Sequence, residues 1–280
     1  MIDVHTHIFP PEVASRRDDF LKDDPAFRWL YQSPKARLIN ADELVQAMDA
    51  HGVEKSVTFG FPWRTMKIMR WHNDFILEAQ HRYPRRLIGF ACVNALEPGA
   101  AGEVERCLAL GLQGVGELAF YQEGLGDEML SALSPIVDLC QGYGVPLLLH
   151  TNEPVGHAYP GKSPMQLGDL YKLIKAFPDL KLILAHWGGG IFFYHLLKKE
   201  VSDTLKNVYF DTAASPYLYR PEIYRLAVEI MGPEKILFGS DYPLLPPSRY
   251  LKEMRNGGLS PEHQKLVTGE NAARLLDGQH

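Results

Sequence analysis

Residues 2–8 read Ile-Asp-Val-His-Thr-His-Ile, and β-branched apolar residues alternate in this stretch with polar ones. A period of two residues is typical of a β-strand with one buried face. Because side chains two residues apart point to the same face of a strand, we expect His5 and His7 to lie side by side. Seven further strand-like runs follow at 53–60, 87–93, 114–119, 145–151, 180–186, 208–213 and 236–241.

Helical patterns fill the gaps between these runs. In 41–51 the apolar residues share one helical face, and a glycine follows as a stop signal. Serine-proline pairs at 163–164 and 260–261 are start signals for two later helices. Alternating strands and helices predict an α/β protein with a parallel sheet, and eight such units in 280 residues predict a (β/α)8 TIM barrel, one domain over 1–280.

Residues 9–40 interrupt the alternation between the first strand and the first helix. Loops of this length are typical of lids, binding loops or disordered segments, and we interpret this one as a long loop insert that forms a lid. A second, shorter loop is expected at 156–162. The aromatic residues of the insert include Phe20, Phe27, Trp29 and Tyr31.

The composition is that of a soluble globular protein, with 46% hydrophobic residues, 22% charged residues and a formal net charge of −5. This acidic balance, without basic runs, gives no reason to expect nucleic acid or an anionic membrane as a partner. The three cysteines, Cys92, Cys107 and Cys140, form no Cys-x-x-Cys pair and indicate neither disulfides nor a thiolate metal site. No signal-peptide pattern and no apolar run of roughly 18 residues is found, so we expect a cytoplasmic protein.

Residues that can bind a metal ion concentrate at the C-terminal ends of the predicted strands. In a (β/α)8 barrel these ends form the mouth where active sites are built. Imidazole and carboxylate donors without thiolate suit zinc, manganese, iron(II) or nickel. The six candidate metal ligands come from five strands, and they are His5, His7, Glu117, His150, His186 and Asp241.

Each candidate ligand also has a structural interpretation. His5 and His7 can simply fill the end of a barrel. Glu117 can pair with a lysine or arginine, and Asp241 can cap the helix after strand eight. The remaining two, His150 and His186, can be neutral groups that support the ligands.

Other residues are candidates for supporting roles. We expect Asp3 to orient a metal ligand, while Asp211 either orients a ligand or caps a loop. We expect Trp187 to line the pocket and His157 to lie at its rim, and Arg64 either holds a substrate carboxylate or lies on the surface. The remaining histidines are interpreted as structural or solvated, and they are His51, His72, His81, His195, His263 and His280.

The sequence resembles the amidohydrolase superfamily. Asp3-Val4-His5-Thr6-His7 is similar to its Asp-x-His-x-His opening, and His150, Ala185-His186-Trp187-Gly188-Gly189 and Phe238-Gly239-Ser240-Asp241-Tyr242-Pro243 follow in the family's order. The segment 269–276, Gly-Glu-Asn-Ala-Ala-Arg-Leu-Leu, resembles the closing helix of the amidohydrolase 2 branch. The resemblance extends over essentially the whole chain.

The resemblance implies roles for these residues. The strand-one histidines and Asp241 would bind a divalent metal, and His150 and His186 would complete a second metal position. Glu117 would bridge the two ions, as in TatD-type deoxyribonucleases, and zinc is the expected metal, as one or two ions. In a branch of the family with one metal, which includes decarboxylases, the strand-six histidine acts instead on a bound water.

From this resemblance we expect a hydrolase that uses metal-activated water on a small ester, lactone or amide, with Asp241 and His186 as catalytic residues. The alternative is a decarboxylase with one metal ion, acting on an aromatic or unsaturated carboxylic acid. A TatD-like nuclease is a third option, against which the acidic balance counts, and a non-catalytic barrel with a structural metal is a fourth. The small-molecule substrate is expected to be the partner, and a homodimer is the assembly that the resemblance implies.

Overall fold

The computed structural model describes residues 1–122 and 124–277, so that His280 lies outside the described residues. The described chain contains eight β-strands in two sheets, with every neighbouring pair parallel. The first sheet has the order β1 (Ile2–His7), β2 (Lys55–Phe59) and β3 (Leu87–Gly89). The second has the order β4 (Val115–Leu118), β5 (Leu147–Leu149), β6 (Leu182–Leu184), β7 (Val208–Asp211) and β8 (Ile236–Leu237).

Each strand lies inside one of the eight predicted runs, which confirms the α/β fold with parallel strands. Isolated parallel bridges join the two sheets at both of their edges, Thr6 with Tyr242 and Ala91 with Val115. One buried apolar cluster takes side chains from both sheets, including Val4, Val57, Leu148, Ile183 and Leu237.

Helices occupy the connections between the strands. The first seven are α1 (Pro11–Ser15), α2 (Arg17–Asp23), α3 (Pro25–Tyr31), α4 (Ala41–His51), α5 (Met66–Arg82), α6 (Ala100–Ala109) and α7 (Asp127–Tyr143). They are followed by α8 (Leu167–Ala176), α9 (Val201–Thr204), α10 (Ser215–Leu218), α11 (Glu222–Met231), α12 (Pro247–Asn256), α13 (Pro261–Lys265) and α14 (Asn271–Asp277). Segments of other helix types are His186–Leu196, Pro233–Lys235 and Leu266–Glu270. In the described residues, no helix combines the length and apolar character that crossing a membrane requires.

Local chemistry explains the ends of two predicted helices, α4 and α13. Asn40 and Glu43 form a reciprocal capping box that starts α4, and Gly52 ends it with a φ of 69°. Ser260 caps α13 as predicted. The predicted start at Ser163 is wrong, because its amide and hydroxyl both donate to Asn152 Oδ1, and α8 begins only at Leu167.

Residues 9–40 differ from the expected loop, because they contain the three short helices α1, α2 and α3. The reason is an aromatic cluster that these helices bury. Phe27 is fully buried, with its ring 4.7 Å from that of Trp63 and 5.5 Å from that of Phe61. Burial of large rings stabilises helices that are too short to form alone. The segment therefore brings α3 and its last residue, Tyr31, against the strand ends.

Candidate functional site

The structure brings together all six predicted metal-ligand side chains at the C-terminal ends of the strands. Their donor atoms form three overlapping groups, and within each group the atoms lie within 4.8 Å of one another. All six side chains are buried or nearly so. The three groups are His5, His7 and Glu117; His5, His186 and Asp241; and Glu117, His150 and His186.

Glu117 lies at the centre of the cluster. Its Oε2 is 3.6 Å from His5 Nε2 and 3.7 Å from His7 Nε2. Its Oε1 is 3.0 Å from His150 Nδ1 and 3.7 Å from His186 Nε2. The carboxylate therefore stands between two pairs of imidazoles. In the described residues Glu117 forms no ion pair with a lysine or arginine, which was the alternative role expected for it.

Each histidine of the cluster has one ring nitrogen held by an oxygen of the protein. His5 Nδ1 lies 2.8 Å from Asp211 Oδ2. His7 Nδ1, His150 Nε2 and His186 Nδ1 face the backbone carbonyls of Gly60, Gly161 and Ala213, at 3.4, 2.8 and 3.1 Å. An acceptor oxygen keeps the proton on the nitrogen that faces it, which leaves the lone pair of the other nitrogen for a ligand. The second nitrogen of each ring points into the cluster, where His150 Nδ1 lies at hydrogen-bond distance, 3.0 Å, from Glu117 Oε1.

His5 gives the clearest sign of a bound group. Its side chain is fully buried, and its Nε2 has no hydrogen-bond partner in the described part of the chain. A buried polar atom without a partner is rare in a native protein. The nearest oxygens are those of Glu117 and Asp241, at 3.6 and 3.7 Å. Imidazole and carboxylate donors arranged in this way fit a divalent metal ion.

The two carboxylates of the cluster are ionised at neutral pH. Burial opposes the ionisation of Glu117, but the charges of His5 and His150 outweigh it and hold its pKa well below the usual range. Burial also opposes the ionisation of Asp241, but the hydrogen bond from His7 and neighbouring imidazole charges lower its pKa to about 2. A bound cation would replace these imidazole charges in stabilising the two carboxylates, once the imidazoles have released their protons.

Asp3 does not contact the ring of a histidine. Its Oδ1 accepts hydrogen bonds from the backbone amides of His5 and Ser240, and its Oδ2 accepts from the Ser240 hydroxyl. It thereby ties β1 to the segment after β8, and burial raises its pKa to about 7. Asp211 orients the His5 ring instead, while its Oδ1 accepts from the amides of His186 and Ala213.

A cavity of about 520 Å³ opens above the cluster. Its floor carries His7, Glu117, His150, His186 and Asp241, and its walls are mainly apolar and aromatic. The predicted rim residue His157 borders this cavity.

Two predicted substrate-binding residues lie elsewhere. Trp187 is fully buried, and its Nε1 donates to Ser215 Oγ at 2.6 Å. Positive φ angles from His186 onward turn the chain so that this ring enters the interior instead of lining the cavity. Arg64 borders a separate cavity of about 480 Å³, and its backbone amide donates to Asp24 Oδ2. The expectation that Trp187 and Arg64 contact substrate in the main cavity is corrected accordingly.

The sequence assigned no individual role to several residues that border the main cavity, among them Tyr31, Arg37 and Tyr121. Tyr31 and Arg37 come from the segment 9–40, whose aromatic residues were the available signal. Tyr121 follows β4 by three positions, at the strand end that also carries Glu117. Its position beside a candidate ligand could have identified it.

Comparisons with known proteins agree with this arrangement. A family model described as amidohydrolase, in the amidohydrolase 2 branch, matches residues 2–278. Gamma-resorcylate decarboxylase of Polaromonas sp. is 25% identical over 86% of this chain and 89% of its own length. The crystal structure of 5-carboxyvanillate decarboxylase from Sphingomonas paucimobilis has a TM-score of 0.75 at 21% identity, covering 99% of this chain and 98% of that one.

A second solved structure bears on the metal. It is a dihydroxybenzoic acid decarboxylase from Polaromonas sp. with bound manganese and the inhibitor 2-nitroresorcinol. Its TM-score is 0.72 at 21% identity, and the match covers 100% of this chain and 97% of that one. Because this structure contains manganese, it does not support the specific expectation of zinc.

These relatives also overturn the expected activity. The prediction of a hydrolase acting on an ester, lactone or amide is wrong, because the curated relatives that match most of the chain are decarboxylases, which are lyases. Superfamily resemblance led to the error, since hydrolases and decarboxylases share the ligand pattern on which the prediction rested. The family itself was identified correctly: matched over residues 2–278, the chain belongs to the amidohydrolase 2 family of the amidohydrolase superfamily.

Proposed function

We propose that this protein is a metal-dependent decarboxylase of an aromatic or unsaturated carboxylic acid. The observation that carries the proposal is the match over most of the chain with gamma-resorcylate decarboxylase of Polaromonas sp.. The two similar solved structures, decarboxylases of carboxyvanillate and of dihydroxybenzoic acid, support the same reaction.

The shape and chemistry of the cavity suit a flat acid. Its volume of about 520 Å³ is within the range of ligand pockets, roughly 300–1,000 Å³. Leu30, Leu218, Leu244 and Tyr121 supply apolar wall surface that removes an aromatic ring from water. The polar floor leaves the carboxylate of the substrate facing the cluster of imidazoles.

The six clustered side chains are the proposed metal ligands. Because the two oxygens of Glu117 face different histidine pairs, Glu117 would help to hold two ions, one with each pair. His5 and His7 stand on the side of Oε2, and His150 and His186 stand on the side of Oε1.

Manganese and zinc both accept this donor set, and the manganese in the Polaromonas structure favours manganese as the first ion to test. Bound there, a divalent ion would supply positive charge that neutralises the carboxylates of the protein and polarises the carboxylate of the substrate.

Asp241 and His186 are the proposed catalytic residues. In the reaction the bond from the ring carbon to the carboxyl carbon breaks, carbon dioxide leaves, and a proton takes its place on the ring carbon. His186 Nδ1 is held by the carbonyl of Ala213, so its Nε2 faces the cavity, where it can hold that proton only while it binds no ion. Asp241 Oδ1 lies 3.3 Å from His7 Nε2 on the same floor, where it can exchange a proton with the substrate.

The site requires that the two sheets form one closed (β/α)8 barrel in a single domain, and this is part of the proposal. Two parallel bridges join the sheets, and the backbone amides of Val4 and Asp241 donate to the carbonyls of Phe238 and His5 across one junction. At the other junction the amide of Gly116 donates to the carbonyl of Ala91. The buried cluster shared by both sheets supports the same closure.

The test is release of carbon dioxide by manganese-loaded protein from 2,6-dihydroxybenzoate, 2-hydroxybenzoate and 5-carboxyvanillate. We expect release from at least one acid, a loss of roughly a hundredfold or more in Asp241→Asn, and no change in Asp203→Asn, an exposed carboxylate in α9. The proposal would be contradicted if none of the three acids released carbon dioxide.

A further inference from the structure

Two phenol groups at the cavity have no partner. Tyr31 and Tyr121 both border the cavity, and neither hydroxyl has a hydrogen-bond partner among the residues that the structure describes. Tyr121 is only 8% exposed. A tyrosine hydroxyl that borders a cavity and has no partner among the described residues is available to donate to a ligand that enters the cavity.

Aromatic packing holds both rings in place. Tyr31 stacks on Phe27 with a centroid distance of 4.7 Å and meets Phe9 edge-on at 5.3 Å. Tyr121 stacks on Phe61 at 6.2 Å, and its ring lies 5.1 Å from that of His150. Because the rings are fixed, the hydroxyl groups are presented in a defined position without further loss of side-chain entropy on binding.

The two phenols stay protonated. The pKa of a tyrosine hydroxyl is ordinarily about 10, well above neutral pH. A phenolate beside two carboxylates would be strongly disfavoured. Each hydroxyl is therefore a neutral donor over the whole physiological pH range.

The other tyrosines at the cavity do not offer the same donor. The hydroxyl of Tyr159 already donates to Glu153 Oε2 at 2.9 Å, and Tyr217 is 59% exposed at the rim. The carboxylate of the substrate would be matched by a divalent ion held on the floor. The neutral hydroxyl donors of Tyr31 and Tyr121 suit an uncharged acceptor, such as a hydroxyl oxygen on the ring of the substrate.

We infer that Tyr31 and Tyr121 determine specificity by donating hydrogen bonds to an oxygen substituent on the ring of the acid. This inference rests on the proposed function, because it assumes that an aromatic acid occupies the cavity. It selects, among aromatic acids, those that carry an oxygen substituent on the ring.

The experiment compares the binding of 2-hydroxybenzoate and benzoate to manganese-loaded protein by calorimetry. Wild-type protein should prefer 2-hydroxybenzoate. Tyr31→Phe and Tyr121→Phe keep the ring and remove the hydroxyl, and each should weaken binding of 2-hydroxybenzoate by roughly tenfold or more while leaving benzoate unchanged. Tyr143→Phe, at an exposed position at the end of α7, is the matched control and should change neither affinity.

The outcomes separate this inference from the proposed function. If both variants weaken the two acids equally, or if wild-type protein shows no preference or binds neither acid, the role of the tyrosines is overturned. Release of carbon dioxide with unchanged selectivity in the variants overturns it as well and leaves the proposed function standing. Tyrosine-dependent preference without carbon dioxide release supports the tyrosine role and refutes the decarboxylase.

Discussion

Replacing Asp211 with asparagine should reverse the position of the proton on His5. Asp211 Oδ2 lies 2.8 Å from His5 Nδ1, while Oδ1 accepts from the amides of His186 and Ala213 at 2.8 and 3.0 Å. Because two backbone amides need an acceptor, the asparagine oxygen will take the position of Oδ1 and its NH2 group will face His5 Nδ1. The amide then donates to Nδ1, and the ring proton moves to Nε2.

This change removes the lone pair that points into the cluster. His5 Nε2 is the buried atom that lacks a partner among the described residues, and a protonated nitrogen cannot bind a metal. Loss of an orienting partner typically reduces metal affinity by roughly 10- to 100-fold, or about 1.4 to 2.7 kcal/mol. We expect the upper end, because Asp211→Asn removes the negative charge and also favours the wrong tautomer.

The assay is calorimetric titration of chelator-treated protein with manganese. Asp203→Asn removes an exposed carboxylate and should bind the ion like wild-type protein. The thermal unfolding of the metal-free variants, measured first, separates a loss of affinity from a loss of fold. Wild-type affinity in a folded Asp211→Asn variant would refute the argument from the tautomer.

Three further predictions follow from the geometry. Glu117→Ala should lower the metal content from about two ions to about one per chain by elemental analysis, and an unchanged content would show that Glu117 does not bridge. Glu103 is buried, but hydrogen bonds led by Arg106 lower its pKa to about 2, so its contribution is present above about pH 4.5 and lost as the pH falls towards 2. Glu103→Gln should therefore cost about 3 kcal/mol in urea unfolding at pH 7 and much less near pH 2; an equal cost at both would contradict the charge argument. Gly189→Ala should lower the thermal midpoint more than Gly190→Ala, because both positions have positive φ but only at Gly189 would a Cβ lie 2.2 Å from the carbonyl oxygen of Asn152; equal losses would exclude the clash.

Much of the fold could be predicted because its signals are local. The alternation in 2–8 depends only on neighbouring residues, and each of the other seven strands lies within its predicted run. The six clustered side chains could be located for the same reason, since each ends a strand and parallel strands end at one edge.

What could not be predicted depends on contacts between distant segments. Segment 9–40 is helical because Phe27 finds Phe61 and Trp63, which no local pattern indicates. The Ser163 start signal loses to Asn152 for a similar reason. The pattern of metal ligands could not distinguish a hydrolase from a decarboxylase, because both reactions use similar polar residues on the floor of the cavity.

By itself, the sequence determined the order of strands and helices, the amidohydrolase family and the set of clustered histidines and carboxylates. Only the tertiary structure decided that Trp187 is buried, that Arg64 borders another cavity and that Tyr31 and Tyr121 border this one. The reason is physical: periodicity places a side chain on one face of its own element. Which distant side chains share a cavity depends instead on how the elements pack, and that packing is set by burial of the whole interior.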